Sequence, residues 1–151
     1  AIAFALAREG VKSLTVANRT LAHAEELQEL ISAHTSFSGT RVVPMQEEPL
    51  AGELRKSSLI VYCLASDHDI LKEIPAACRK EEGAPDGRIL VDLRYAPAET
   101  EMMRLFRLSG GEAFNGKGML LWQAVLAFEL FTAGAGKGAP LETMRRAIDL
   151  Q

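Results

Sequence analysis

Ser13-Leu14-Thr15-Val16-Ala17-Asn18-Arg19-Thr20 is a short apolar run, rich in β-branched residues, that ends in three polar side chains. The run predicts a strand over residues 13–17. Residues 21–33 follow with apolar positions at helical spacing, Leu27, Leu30 and Ile31 among them, and predict a helix. A strand, a tight polar turn and a helix form the geometry that holds an adenosine ribose at the carboxyl end of a strand in parallel α/β folds. Where the ribose is free, an acidic residue usually stands at the strand end to accept from its 2′-hydroxyl. Here Asn18, Arg19 and Thr20 offer an amide, a guanidinium and a hydroxyl instead. The Arg fork matches phosphate oxygens, so the turn points to a 2′-phosphate and hence to NADP. The same residues also read as an ordinary polar turn with Thr20 capping the next helix. The turn alone does not choose.

Outward from that turn, strand-like and helix-like stretches alternate. Residues 1–10 read as a helix, with Ile2, Phe4 and Leu6 apolar and Gly10 as the stop. In a nucleotide-binding βαβ unit, a strand and a Gly-rich phosphate loop precede this helix. The expectation is therefore a piece of a larger protein that starts inside the first helix, without that strand and loop. Strands are predicted over 41–45, with Pro44 suited to an edge, and over 58–63, 88–92 and a short 113–114. Helices are predicted over 70–81, interrupted near its start by Pro75, and over 99–109, ended by Gly110-Gly111. Two more are predicted over 118–132 and 141–150. Such alternation implies a parallel sheet covered on both faces.

With 151 residues, 48% of them apolar and 25% charged, the chain has the size and composition of one globular domain. Its formal net charge is −3, with Lys and Arg scattered, which argues against nucleic acid as a partner. Cys63 and Cys78 fit reduced thiols better than a disulfide framework. No apolar run reaches the roughly 18 residues of a membrane helix, so no membrane is expected. No signal peptide is visible, and the cytoplasm is the default expectation. His23, His34 and His68 are well separated, and no His/Cys spacing suggests a metal.

Two further stretches carry chemistry. Val91-Asp92-Leu93-Arg94-Tyr95-Ala96-Pro97 closes a buried strand with polar and aromatic residues, at the carboxyl end where α/β folds bind ligands. Asp92 and Tyr95 read equally as groups that satisfy loop backbone. Phe114-Asn115-Gly116-Lys117-Gly118-Met119-Leu120-Leu121-Trp122-Gln123 puts two glycines before an apolar helix, where the backbone can approach a flat ring closely. Met119 and Gln123, four apart, project from one helix face. The Gln123 amide needs a partner, and a polyhydroxylated ligand or a neighbouring loop would supply it. Gly134-Ala135-Gly136-Lys137-Gly138 follows a helix rather than a strand and reads as a link, not a phosphate loop. Ser66-Asp67-His68-Asp69 reads as a solvated loop, with a polar crevice rim as the alternative. No Gly-x-Ser-x-Gly or Cys/His pairing suggests a nucleophile.

In order and spacing, these pieces resemble the C-terminal NADP domain of the shikimate dehydrogenase family. The matching motifs are the Asn-Arg-Thr turn at residues 18–20, Asp-x-x-Tyr-x-Pro at 92–97, and Gly-x-Gly-Met-x-x-x-Gln at 116–123. Ala127-Phe128-Glu129-Leu130-Phe131-Thr132 is similar to that family's aromatic-rich helix end. The resemblance implies an α/β, Rossmann-like, doubly wound parallel sheet in three αβα layers, lacking its first strand. It also implies that residues 1–151 form one NADP-binding domain, including C-terminal helices over 118–150. Asn18, Arg19 and Thr20 would hold the 2′-phosphate and ribose, with His23 where the family often has Lys or Arg. Leu93 and Gly116 would border the nicotinamide, Met119 would pack on it, and Tyr95 and Gln123 would reach shikimate. The proton-transferring Lys and its Asp partner belong to an N-terminal substrate domain in that family, so this chain is expected to hold no catalytic residue and to be inactive alone. The implied reaction is reversible reduction of 3-dehydroshikimate to shikimate with NADPH, and the resemblance leaves a homodimer open. The family's Asn-Ala-Thr segment is replaced by Tyr62-Cys63-Leu64-Ala65-Ser66. That departure keeps two alternatives in view, an NAD-dependent quinate or shikimate dehydrogenase and a non-catalytic nucleotide-binding relative.

Overall fold

A computed structural model of the chain describes residues 1–65, 87–133 and 138–149. The expected helix over 70–81, the 66–69 rim, Cys78 and the link over 134–137 lie outside the described residues. The chain divides into two compact units, the first containing residues 1–57 and the second residues 58–65 and everything described from 87 onward.

The first unit runs α1 (Ile2–Arg8), β1 (Leu14–Asn18), α2 (Leu21–His34), β2 (Thr40–Pro44) and α3 (Glu47–Lys56). β1 and β2 are parallel, in register from Leu14 opposite Thr40 to Asn18 opposite Pro44. Ala7, Ala24, Ile31 and Leu54 are buried and form its core. Gln28 Nε2 donates to the Thr40 carbonyl at 2.6 Å and ties α2 to the start of β2. The helix over 47–56 is not anticipated by the sequence pattern, because Glu-Glu-Pro reads as a break. Pro49 falls in the first turn, where its missing N–H has no helical partner to lose. The Glu53 carboxylate then anchors α3 to both strands, accepting from the Thr15 hydroxyl at 3.0 Å and from Arg41 at 2.7 Å.

The second unit runs β3 (Leu59–Tyr62), β4 (Ile89–Asp92), α4 (Glu101–Leu108), β5 (Glu112–Asn115), α5 (Lys117–Phe131) and α6 (Leu141–Asp149). Its three strands are parallel in the order β3-β4-β5. The register sets Tyr62 opposite Asp92 and Asp92 opposite Asn115, so the last residues of all three strands stand in one row. Leu90, Met102, Met103 and Phe106 are fully or nearly fully buried. Gly111 lets this core close: a Cβ there would lie 2.2 Å from the Phe106 ring. α5 has apolar residues all round, with Leu121 and Val125 buried and Trp122, Leu126, Leu130 and Phe131 exposed.

The strands are parallel and helices connect them, as expected of a Rossmann-like α/β chain. They lie in two parallel ladders, β1-β2 and β3-β4-β5, consistent with a sheet expected to lack its first strand. α4 begins two residues later than the apolar pattern suggests, because Thr100 caps it: its hydroxyl accepts from the Met103 N–H at 3.3 Å.

Candidate functional site

In the first unit, the turn after β1 is shaped by its own side chain. Asn18 Oδ1 accepts the Thr20 N–H at 3.0 Å, a local bond that folds the chain back at the strand end. The Asn18 carbonyl also accepts the Met45 N–H at 3.3 Å. Arg19 is exposed and makes no ion pair among the described residues. Thr20 occupies the cap position of α2 in extended conformation, yet its hydroxyl makes no cap bond. The capping reading of Thr20 is therefore not what the structure shows. His23 is exposed in the first turn of α2, close in sequence to Arg19. A guanidinium, a hydroxyl and an imidazole thus stand at the amino end of a 14-residue helix, where unpaired N–H groups favour an anion.

In the second unit, the site is the row of strand ends and the loops that leave it. Asp92, fully buried, accepts the Arg94 N–H at 3.0 Å and the Thr100 hydroxyl at 2.7 Å. Its two oxygens also receive the Arg94 guanidinium, through Nε at 3.1 and 3.2 Å and through Nη2 at 2.8 Å. Burial pushes the Asp92 carboxyl up, but the hydrogen bonds from Arg94 and Thr100 and the Arg94 charge outweigh it and hold the group below its ordinary value. Of the two readings open for Asp92, the structural one holds: its oxygens fasten the loop over 93–100. Arg94 also lies over the Tyr62 ring, 5.2 Å from its centre. On the next strand, Asn115 Nδ2 donates to the Ala98 carbonyl at 2.9 Å and Oδ1 accepts the Lys117 N–H at 3.1 Å.

These bonds press the two loops together. Leu93 N–H donates to the Tyr62 carbonyl at 3.0 Å, and Gly116 N–H donates to the Arg94 carbonyl at 2.9 Å. A Cβ on Gly116 would lie 2.0 Å from the Leu93 carbonyl oxygen, so only glycine fits there. At Gly118 a Cβ would meet nothing within 4 Å, so this second glycine leaves open space at the helix start. Leu93 and Gly116, distant in sequence, are thus brought into direct backbone contact. Met119 is half-buried and Gln123 exposed, one turn apart on α5. Tyr95 is exposed and lines a small hollow of about 70 Å³ with Pro97, Lys117, Leu120 and Ile148. Gln123 is not among the residues that line that hollow.

Sequence reasoning missed Tyr62, Arg94, Thr100 and Asn115 as parts of this arrangement. A Thr three residues before a buried Met was a readable cap signal for Thr100. Arg94 stands two residues after Asp92, while its other partner, Tyr62, is brought beside it by strand register.

Parallel strands with polar loops gathered at their carboxyl ends define the Rossmann-like α/β class, in which ligands bind at that edge of the sheet. A profile of the Shikimate 5′-dehydrogenase C-terminal domain matches residues 116–148. Over 148 residues the chain is 32% identical to the shikimate dehydrogenase (NADP(+)) of Methanopyrus kandleri, covering 98% of this chain and 49% of that protein. It is 30% identical over 147 residues to the shikimate dehydrogenase (NADP(+)) of Alkaliphilus metalliredigens, covering 97% and 50%. The structure is similar to shikimate 5-dehydrogenase from Listeria monocytogenes, solved in complex with shikimate and NAD, with TM-score 0.79 and 25% identity over 97% of this chain and 50% of that one. The chain is thus similar to one half of the shikimate dehydrogenases, and it spans about half the length of the curated relatives it matches.

Proposed function

We propose that residues 1–151 form the NADP-binding part of a shikimate dehydrogenase, which interconverts 3-dehydroshikimate and shikimate. The observation that carries this reading is the backbone contact of Leu93 with Gly116 at the strand ends, beside the open space at Gly118. A flat ring can approach bare backbone there, and the half-buried Met119 side chain supplies an apolar surface for one face. Arg19, exposed and without an ion pair among the described residues, would hold the 2′-phosphate, with Asn18 and Thr20 at the ribose and His23 alongside. Tyr95 and Gln123 would bind the hydroxylated substrate ring. When bound, the nicotinamide supplies the hydride-transferring carbon. This chain's residues hold and orient it, and none of them is assigned the proton transfer.

The relative solved with NAD, and His23 in place of a cation, favour a second reading in which NAD is used. Titration of NADP and NAD against wild type and Arg19→Ala tests the choice. The 2′-phosphate reading expects wild type to prefer NADP and the variant to lose that preference. Equal losses for both cofactors would make Arg19 a structural residue.

A further inference from the structure

We propose that Arg94 is a positioning residue for hydride transfer, holding the Leu93–Arg94 backbone against Gly116 through its fork on Asp92 and its face on Tyr62. The inference rests on the placement of nicotinamide beside Leu93 and Gly116. Three observations meet at this one side chain. Its Nε and Nη2 straddle both oxygens of the buried Asp92 carboxylate, a two-point grip that sets the direction of the guanidinium plane. Its Cζ lies over the ring of Tyr62, 5.2 Å from the centre, and the Tyr62 carbonyl accepts the Leu93 N–H. The backbone of Arg94 is held at both ends, its N–H by Asp92 and its carbonyl by the Gly116 N–H.

The Leu93 carbonyl lies between these anchors, against Gly116. Arg94 therefore acts on the reaction through the Leu93 backbone, not by touching the reacting atoms. Tyr62, the last residue of β3, supplies the ring face. Tyr62 and Arg94 thus form one device, which Lys could not replace: an ammonium keeps the charge but has neither the fork nor the flat face.

The test uses the protein that carries this sequence and two probes. One is 2′,5′-ADP, which has the 2′-phosphate and adenosine but no nicotinamide; the other is NADPH, whose bound fluorescence reports the surroundings of its ring. Arg94→Lys should change that fluorescence and lower kcat by about tenfold or more, as small misplacements of reacting groups do. Affinity for 2′,5′-ADP should stay within about twofold. Tyr62→Leu should fall with it, and Tyr62→Phe, which keeps the ring face, should recover most of the loss. Unchanged kcat and fluorescence in Arg94→Lys would overturn the proposal. So would a parallel loss of 2′,5′-ADP binding, which marks a merely structural role. If Arg94→Lys does not fold, the Tyr62→Leu and Tyr62→Phe pair decides by the same readouts. Failure of wild type to bind 2′,5′-ADP overturns the NADP reading itself and this inference with it.

Discussion

At Gly116 a single absent methyl group decides how two loops meet. Alanine there would put its Cβ 2.0 Å from the Leu93 carbonyl oxygen, so the backbone would have to move. Gly116→Ala should destabilise by about 1–3 kcal/mol, the range for overpacking a close contact. Gly118→Ala is the matched control, since nothing lies within 4 Å and the position is helical. It should be neutral or stabilising by about 0.5–1 kcal/mol. Denaturant midpoints of the two variants check both expectations; equal destabilisation would remove the special role of Gly116. On the other unit, Arg19→Ala should weaken NADP by about 1.5–3 kcal/mol, roughly one to two orders of magnitude, with little effect on NAD. The turn at Asn18 was readable in the sequence because the bond that shapes it is local, and Gly116 stood out as a glycine although the Leu93 carbonyl that requires it is distant in sequence. Arg94 was only half readable: Asp92 stands two residues before it, but Tyr62 is brought beside it by strand register.

At the scale of elements, the end of β4 stands or falls with Asp92. Removing the carboxylate leaves Arg94 without its two-point partner and Thr100 without its acceptor. Asp92→Ala should cost about 3–5 kcal/mol, the usual loss when one member of a buried charged pair is deleted. The pH dependence has a definite sign. The folded carboxyl sits below its ordinary value, so its contribution is present in full above the unfolded value of about 3.9. It is lost as pH falls through the lower folded value. Wild type should therefore lose more stability than Asp92→Asn on acidification below about pH 4, which urea unfolding at several pH values will show. A constant difference between the two would contradict the pairing. The same scale shows where pattern reading stopped. The helix over 47–56 was hidden by Pro49, although a first-turn proline costs a helix little. The helix over 117–131 was visible as an apolar run, yet its buried face could not be chosen, since apolar residues surround it on every side.

For the whole molecule, the alternation of strands and helices gave the parallel α/β class, because connections between parallel strands require it. The two ladders agree with the expectation of a missing first strand, while the order β3-β4-β5 depends on which strands share hydrogen bonds rather than on where strands occur. The substrate side is tested by Gln123→Ala, which should raise the KM for shikimate or lower turnover by roughly tenfold while leaving NADP affinity nearly unchanged. Lower thermal stability with unchanged kinetics would instead assign the Gln123 amide to a structural bond. NADP-linked oxidation of shikimate is the activity proposed for the protein that carries this chain. Its most direct test is the initial rate of NADPH and NADH formation with shikimate, on the protein that carries this sequence. Shikimate-dependent formation of NADPH is expected, with kcat/KM for NADP exceeding that for NAD by about tenfold or more. Binding of both cofactors without turnover of shikimate, or turnover with NAD equal to that with NADP, would contradict it.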